Sequence, residues 1–198
     1  MKTTLLTTVL LASLVTLGAC DDTTRKPAAP TSAATPAPAV SLAAIASEAK
    51  GFSVGSTMGV RSVYVFFDPQ CSHCAVLWNE AKPLKAQARF VWIPVGLLNA
   101  SSTPQGAALL AAPDPAAAMD AHEASMKERR GGISASGNLD TQKAAVEANT
   151  RLLTRFQFPG VPTIVAKHAI TGELVVREGA LPTAALADAL GLVPPPGS

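Results

Sequence analysis

The segment "FFDPQCSHC" holds the two cysteines of this chain that are best placed for chemistry. Cys71 and Cys74 are three positions apart and directly follow an apolar segment. A Cys-x-x-Cys pair at the start of a helix places the first sulfur against unpaired backbone N–H groups, which favour the thiolate. The second sulfur lies one turn inside the helix, where it can attack a mixed disulfide on the first. The spacing predicts that Cys71 is the nucleophile and Cys74 the resolving cysteine of a redox pair.

Three other uses of a cysteine pair have different requirements. A structural zinc site needs four ligands, and besides the pair the chain offers only His73, His122 and His168, none of them in a second pair. Covalent haem needs a histidine directly after the second cysteine, where this chain has Ala75. A structural disulfide is the simplest alternative, although a loop this short constrains the unfolded chain little. We therefore predict a redox disulfide and no metal site.

The N-terminus has the pattern of an export signal. Lys2 precedes an apolar stretch at residues 5–19, which has the length of a signal peptide rather than of a membrane span. The stretch ends in "LGAC", which resembles the lipobox of bacterial lipoproteins and implies that Cys20 is lipidated. Asp21 and Asp22 resemble an inner-membrane retention signal. A soluble secreted protein cleaved next to a cysteine is the alternative interpretation.

Composition divides the remaining chain into a tether, one domain and a tail. Residues 20–40 are rich in proline, alanine and threonine and cannot bury a core, so they predict an extended tether with a reach of about 50 Å. Residues 41–194 have the length of one domain, and residues 195–198 are expected to be a flexible tail. The net charge of +2, with only 15% charged residues, makes nucleic acid an unsuitable partner.

Hydrophobic periodicity predicts the order of the elements within the domain. A short helix and a turn-rich segment are expected over residues 41–60. The next predicted elements are a buried strand at 62–67, a helical run at 74–88 that is kinked at Pro83, and a strand at 89–98. They are followed by a helical insertion at 101–155 with two helical blocks around a loop at 131–138, a hairpin of strands at 161–167 and 173–179, and a helix at 183–190. This order predicts an α/β domain, a thioredoxin-like fold with a helical insertion.

Three segments carry a resemblance to a known family. "VYVFFDPQCSHC", "GVPT" and "GALPTAALADAL" resemble the catalytic domain of the DsbC and DsbG group of periplasmic thiol:disulfide interchange proteins, in particular DsbG, over residues 52–192. The resemblance implies that Cys71 and Cys74 are the redox pair and that Val161, Pro162 and Thr163 form a cis-proline loop that binds substrate. It also implies protein thiols and disulfides as substrates, a membrane redox partner protein, and no cofactor.

The sequence departs from this family at several points. DsbC and DsbG carry an N-terminal dimerisation domain, and the segment between the tether and Phe52 is too short for one, so a monomer is expected. His73 and Val161 resemble the corresponding residues of the oxidase DsbA rather than those of the isomerases. Val65 takes the place at which thioredoxin and DsbA carry a buried acid. The direction of exchange is therefore left open.

Roles can also be predicted for single residues outside the cysteine pair. His73 adjoins both sulfurs and is predicted to be functional. Asp68 is predicted to be a turn or helix-capping residue, and Trp78 and Trp92 are predicted core aromatics. The other two histidines, at positions 122 and 168, are expected to be ordinary surface residues.

The sequence supports two hypotheses of different classes. The first is a thiol:disulfide oxidoreductase in the periplasm, lipid-anchored to the bacterial membrane, with the inner membrane favoured. The alternative is a non-enzymatic copper-handling or chaperone lipoprotein, in which Cys71, Cys74 and His73 bind a soft metal. Two assays distinguish these hypotheses: an oxidoreductase should reduce insulin, and a copper-handling protein should bind copper.

The lipid anchor is directly testable. Cys20→Ser removes the thiol that would carry the lipid, so we expect the variant to leave the membrane fraction while the unchanged protein stays in it. Metabolic labelling with palmitate provides the second measurement. A native protein that incorporates no label contradicts the prediction.

Overall fold

The computed structural model describes residues 39–56 and 61–197. The predicted signal peptide, Cys20 and nearly all of the tether lie outside the described residues. In the part of the chain that is described, no helix has the length and apolar character needed to cross a membrane.

The described chain contains five strands and six α-helices. In chain order they are α1 (Leu42–Glu48), β1 (Phe52–Gly55), β2 (Ser62–Phe67), α2 (Ser72–Ala81), a 3-10 turn (Lys82–Leu84), β3 (Arg89–Pro94), α3 (Ser102–Ala111), α4 (Pro115–Lys127), α5 (Asp140–Arg155), β4 (Thr163–Lys167), β5 (Leu174–Glu178) and α6 (Thr183–Leu190). The mixed α/β architecture confirms the predicted fold class.

The strands form one sheet in the order β1-β3-β2-β4-β5. β2 lies at its centre, parallel to β3 and antiparallel to β4. The predicted hairpin is present, since β4 and β5 pair antiparallel from Thr163↔Glu178 to Lys167↔Leu174. Both faces of β2 are covered, which explains its continuous run of β-branched and aromatic residues.

The two faces of the sheet pack against different helices. On one face, Val63, Val65 and Phe67 of β2 share an apolar cluster with residues of α2 and α6. On the other face, Phe66 packs with Ile45 of α1 and with residues of α5. Because successive side chains of β2 point to opposite faces of the sheet, β2 contributes to two apolar cores. α2 and its cysteines pack against only one of these cores.

The tryptophans are core residues, as predicted. Trp78 and Trp92 are both buried, and their rings meet nearly edge to face with centroids 4.9 Å apart. The indole N–H of Trp78 donates to a carboxylate oxygen of Asp120 on α4 at 2.7 Å, and Lys82 pairs with the same oxygen. These contacts join α2 to the helical insert.

The elements differ from the sequence prediction in three places. β1 was not predicted; it is only four residues long, and its pairing with β3 is a tertiary contact. α2 ends at Ala81 instead of continuing through a kink, because Pro83 cannot donate an N–H and its ring clashes with the preceding turn. The insert holds three helices rather than two blocks, since α4 starts anew with Asp114 capping the N–H of Ala117.

Candidate active site

Cys71 occupies the N-cap of α2. Its Sγ accepts a hydrogen bond from the backbone N–H of Cys74 at 3.3 Å, one of the donors that a helix start leaves free. Cys71 is 8% exposed and Cys74 is fully buried. The two cysteines are thiols rather than a disulfide. Cys71 is therefore the cysteine that lies at the helix start and that solvent can reach, as the spacing predicts.

The two sulfurs differ strongly in acidity. The Cys74 thiol and the backbone N–H groups of Cys74 and His73 stabilise a thiolate at Cys71, against burial and the nearby Asp68 charge, and lower the pKa of Cys71 to about 6. Burial, and then the neighbouring Cys71 sulfur, raise the pKa of Cys74. At neutral pH the pair thus consists of a nucleophilic thiolate in front of a protonated thiol.

The loop before β4 faces this thiolate. The Val161–Pro162 peptide bond is cis, and the carbonyl oxygen of Val161 lies 3.6 Å from Cys71 Sγ. Thr163 is buried and its hydroxyl donates to the carbonyl of Gly160 at 2.7 Å, which holds the loop in place. Of the three residues predicted to bind substrate, Val161 therefore lies beside the predicted nucleophile, and Pro162 and Thr163 follow it in the same loop.

The side chain of His73 is exposed. The part of His73 that stabilises the Cys71 thiolate in this structure is its backbone N–H. The imidazole is therefore free to meet solvent or an approaching substrate.

Asp68 fixes the turn that precedes the nucleophile. Its buried carboxylate accepts hydrogen bonds from the backbone N–H of Gln70 at 2.8 Å and from those of Leu97 and Leu98 at 2.7 and 3.0 Å. The turn role predicted for Asp68 is confirmed. Its second oxygen also ties the turn to the loop after β3, which sequence reasoning did not foresee.

His122 of α4 is a correction to the sequence prediction. We expected a surface residue, but the imidazole is fully buried, with Nε2 2.7 Å from the carbonyl oxygen of Pro69 and Nδ1 accepting from the Ile133 N–H at 3.2 Å. Because Nδ1 accepts, Nε2 carries the proton and donates to Pro69. Gly132 allows this packing: its φ is +90°, and a Cβ there would lie 2.5 Å from the ring. His168 is half-buried.

A second contact holds the active-site turn against the insert. The Gln70 side chain donates to Gln105 of α3, whose own amide donates to the carbonyls of Gly131 and Ile133 at 2.6 and 3.1 Å. Gln105 is buried. Two polar side chains of the helical insert, His122 and Gln105, thus bind the turn that precedes the nucleophile.

A groove of about 420 Å³ opens beside Cys71 between α2 and α4. Its walls include the apolar side chains of Val76 and Met126, and it also contains Glu123. Sequence reasoning missed Glu123. The available signal was the spacing on α4, where Met119, His122 and Met126 form one face of a helix and Glu123 adjoins that face.

A thioredoxin-like domain with a reactive cysteine at the start of its first long helix is the class of protein that this fold and site define. No protein-family model matches the chain. It shares 32% identity over 139 residues with the thiol:disulfide interchange protein DsbG of Pseudomonas aeruginosa, covering 66% of this chain and 51% of that protein. With DsbG of Escherichia coli it shares 34% identity over 95 residues, covering 46% and 37%.

A solved structure with the same fold is the catalytic domain of Proteus mirabilis ScsC. It superposes with a TM-score of 0.57 at 18% identity, over 75% of this chain and 91% of that domain. Together, the sequence matches and this fold support a DsbG-type protein of the thioredoxin superfamily. The chain spans about half the length of the Pseudomonas relative and just over a third of the other.

The buried His122 predicts a pH dependence of stability. Burial lowers the pKa of His122, with the hydrogen bond to Pro69 and the Asp68 charge opposing it. The unfolded chain therefore takes up a proton near pH 6.5 that the folded protein resists, so stability is present above that pH and is lost as the pH falls. We expect the His122 contribution to the free energy of unfolding, obtained in urea as the difference between the unchanged protein and a His122 variant, to fall between pH 7 and pH 5, while Cys71 and Glu123 titrate in both proteins.

The test variant is His122→Gln. It should be less stable than the unchanged protein at pH 7 by about 1–3 kcal/mol and should lose less stability on acidification, because the buried titrating group is gone. Identical pH profiles for the two proteins contradict the assignment.

Proposed function

We propose that this protein is an extracytoplasmic, membrane-tethered thiol:disulfide oxidoreductase that exchanges disulfides with cysteines of other proteins. The observation that carries the proposal is the position of Cys71. It caps α2 with a pKa lowered to about 6, it has the protonated Cys74 behind it, and it faces the Val161 carbonyl at 3.6 Å. A structural cysteine pair does not require one sulfur with a lowered pKa and one with a raised pKa, whereas thiol–disulfide exchange uses this difference.

The reaction follows from the division of roles. The Cys71 thiolate attacks one sulfur of a substrate disulfide, a Cys71–substrate bond forms, and the other substrate sulfur leaves with the electron pair. Cys74 then loses its proton and attacks Cys71, which releases the first substrate sulfur as a thiolate. The substrate disulfide gains two electrons and the Cys71–Cys74 pair loses two. The reverse sequence oxidises a substrate dithiol.

The substrate chain is proposed to bind along the cis-proline loop. Val161, Pro162 and Thr163 present backbone next to the nucleophile, and an extended peptide can pair with such a segment as an added strand. The carbonyl of Pro162 already accepts the N–H of Gly179, so the Val161 side of the loop is the one that faces the substrate. His73, exposed beside the pair, completes the proposed site.

The wider proposal concerns location and partners. Cys20 would carry a lipid, and the tether would hold a monomeric domain in the periplasm at the bacterial membrane, with the inner membrane favoured by the two aspartates after Cys20. A membrane redox partner protein would recycle the pair. Whether that partner reduces or oxidises Cys71 and Cys74 sets the direction in which the protein works.

The assignment of roles to the two sulfurs is testable by trapping. In Cys74→Ser, Cys71 can still attack but nothing resolves the product, so mixed disulfides with substrate proteins should accumulate. Non-reducing gels of cells blocked with an alkylating agent show these adducts. Cys71→Ser is the matched control and should trap little, since the remaining thiol is buried with a raised pKa. Adducts that form mainly in the control reverse the two roles.

The contribution of the His73 imidazole is separable from that of its backbone. When protonated, the imidazole adds positive charge next to Cys71, which stabilises the thiolate and makes the disulfide a stronger oxidant. We expect His73→Tyr to raise the pKa of Cys71 and to lower the redox potential by roughly 30 mV per pKa unit. Thiolate absorbance and glutathione equilibration measure the two quantities. If neither changes, only the backbone N–H of His73 acts on the sulfur.

A further inference from the structure

The groove beside Cys71 combines an apolar wall with one acidic side chain. Cys71 and Glu123 both line the groove, together with Val76 of α2 and Met126 of α4. Cys71 Sγ is occupied on its other sides by the Cys74 N–H and the Val161 carbonyl. A disulfide that enters the groove can therefore reach the thiolate with its second sulfur pointing toward α4, because attack occurs along the S–S axis.

Two carboxylates lie near the nucleophile, and they have different environments. The oxygens of Asp68 accept three backbone N–H bonds, which hold it as a fixed carboxylate. Glu123 is half-buried, and within the described residues its carboxylate accepts no hydrogen bond and forms no ion pair. Glu123 is thus the carboxyl group with free oxygens in the space where substrate sulfur must lie.

The environment of Glu123 gives its carboxyl group a pKa suited to proton transfer near neutral pH. Burial, then the charge on Cys71, raise the pKa of Glu123 to about 7, while Lys82 lowers it and Asp120 adds to the rise. Lys127 on the same helix also lines the groove, and Asp68 lies in the turn before α2. Glu123 therefore holds a proton best while Cys71 is a thiolate. It becomes a stronger acid when that charge is consumed in bond formation.

We propose that Glu123 is the general acid and base of the exchange at Cys71. It protonates the substrate sulfur that leaves, and in the reverse direction it deprotonates the substrate thiol that attacks. The inference rests on the proposed function and adds a third chemical group to the cysteine pair. It assigns the preferred substrates as alkyl disulfides, such as those between protein cysteines, whose leaving thiols have a pKa of about 8.5 and gain from a proton donor.

The step balances in protons and electrons. The Cys71–sulfur bond forms as the substrate S–S bond breaks, and the electron pair of the broken bond goes to the leaving sulfur. The carboxyl proton of Glu123 passes to that sulfur, which departs as a neutral thiol. Glu123 is left as a carboxylate and recovers its proton from solvent. No further oxidant or reductant takes part in the step.

The leaving group provides the test. We measure, in stopped-flow single turnovers at pH 6, the attack of the reduced full chain on oxidised glutathione and on an aryl disulfide that releases thionitrobenzoate. Glu123→Gln should slow the reaction with oxidised glutathione on the order of a hundredfold or more. The aryl thiolate leaves without a proton, so its rate should change by less than about twofold. That rate also reports that the variant is folded and that Cys71 is a thiolate.

The control is Glu128→Gln, which neutralises an exposed carboxylate at the end of α4 and should match the unchanged protein with both disulfides. An unchanged glutathione rate in Glu123→Gln overturns the proposal. So does an equal change with both disulfides, because a carboxylate that acts only on the Cys71 pKa affects both alike. If the unchanged protein reacts with neither disulfide, the proposed function itself fails, and the role of Glu123 fails with it.

Discussion

The hydrogen bond from the Cys74 N–H to Cys71 Sγ depends on where α2 begins, and the rest of the site depends on that bond. It forms only if Cys71 takes the N-cap position, which in turn requires the turn of residues 68–70 to be held still. Two anchors do this. Asp68 fixes the turn to the loop after β3, and the carbonyl of Pro69 receives the buried imidazole of His122. Each anchor removes a polar group from water and satisfies it, so the turn has few alternative conformations.

The helical insert is therefore part of the site rather than an addition to its surface. α4 supplies the imidazole that holds the turn, one wall of the groove and the carboxyl group of Glu123 in that groove, while α3 supplies Gln105. Asp120 of α4 also contacts Trp78 of α2 and Lys82 just after it, and these contacts hold α4 against α2. Burial raises the pKa of Asp120, but the two hydrogen bonds together with the charges of Lys82 and Lys85 lower it overall, so the Asp120 carboxylate is charged at neutral pH.

Much of this arrangement was predictable from the sequence, because it depends on local patterns. The cysteine spacing predicts which sulfur reacts, the apolar run predicts β2, and the periodicity after Leu181 predicts α6 with its observed bounds. β1, the buried state of His122 and the location of Glu123 were not predictable in this way. Each depends on segments that are distant in the chain, and a histidine or glutamate in a helix looks the same whether its face meets solvent or another helix.

The sequence distances within the site have a consequence for how the protein matures. The bond that makes Cys71 acidic spans three residues, whereas the Pro69–His122 contact spans 53 and the Cys71–Val161 contact spans 90. A chain that emerges from its N-terminus presents both cysteines before α4 and the loop before β4 have been made. The turn that places Cys71 at the N-cap gains its His122 anchor only later, so the acidity of Cys71 is completed after its own segment has been synthesised. The ability to choose a partner arises last, when the loop before β4 closes over the sulfur.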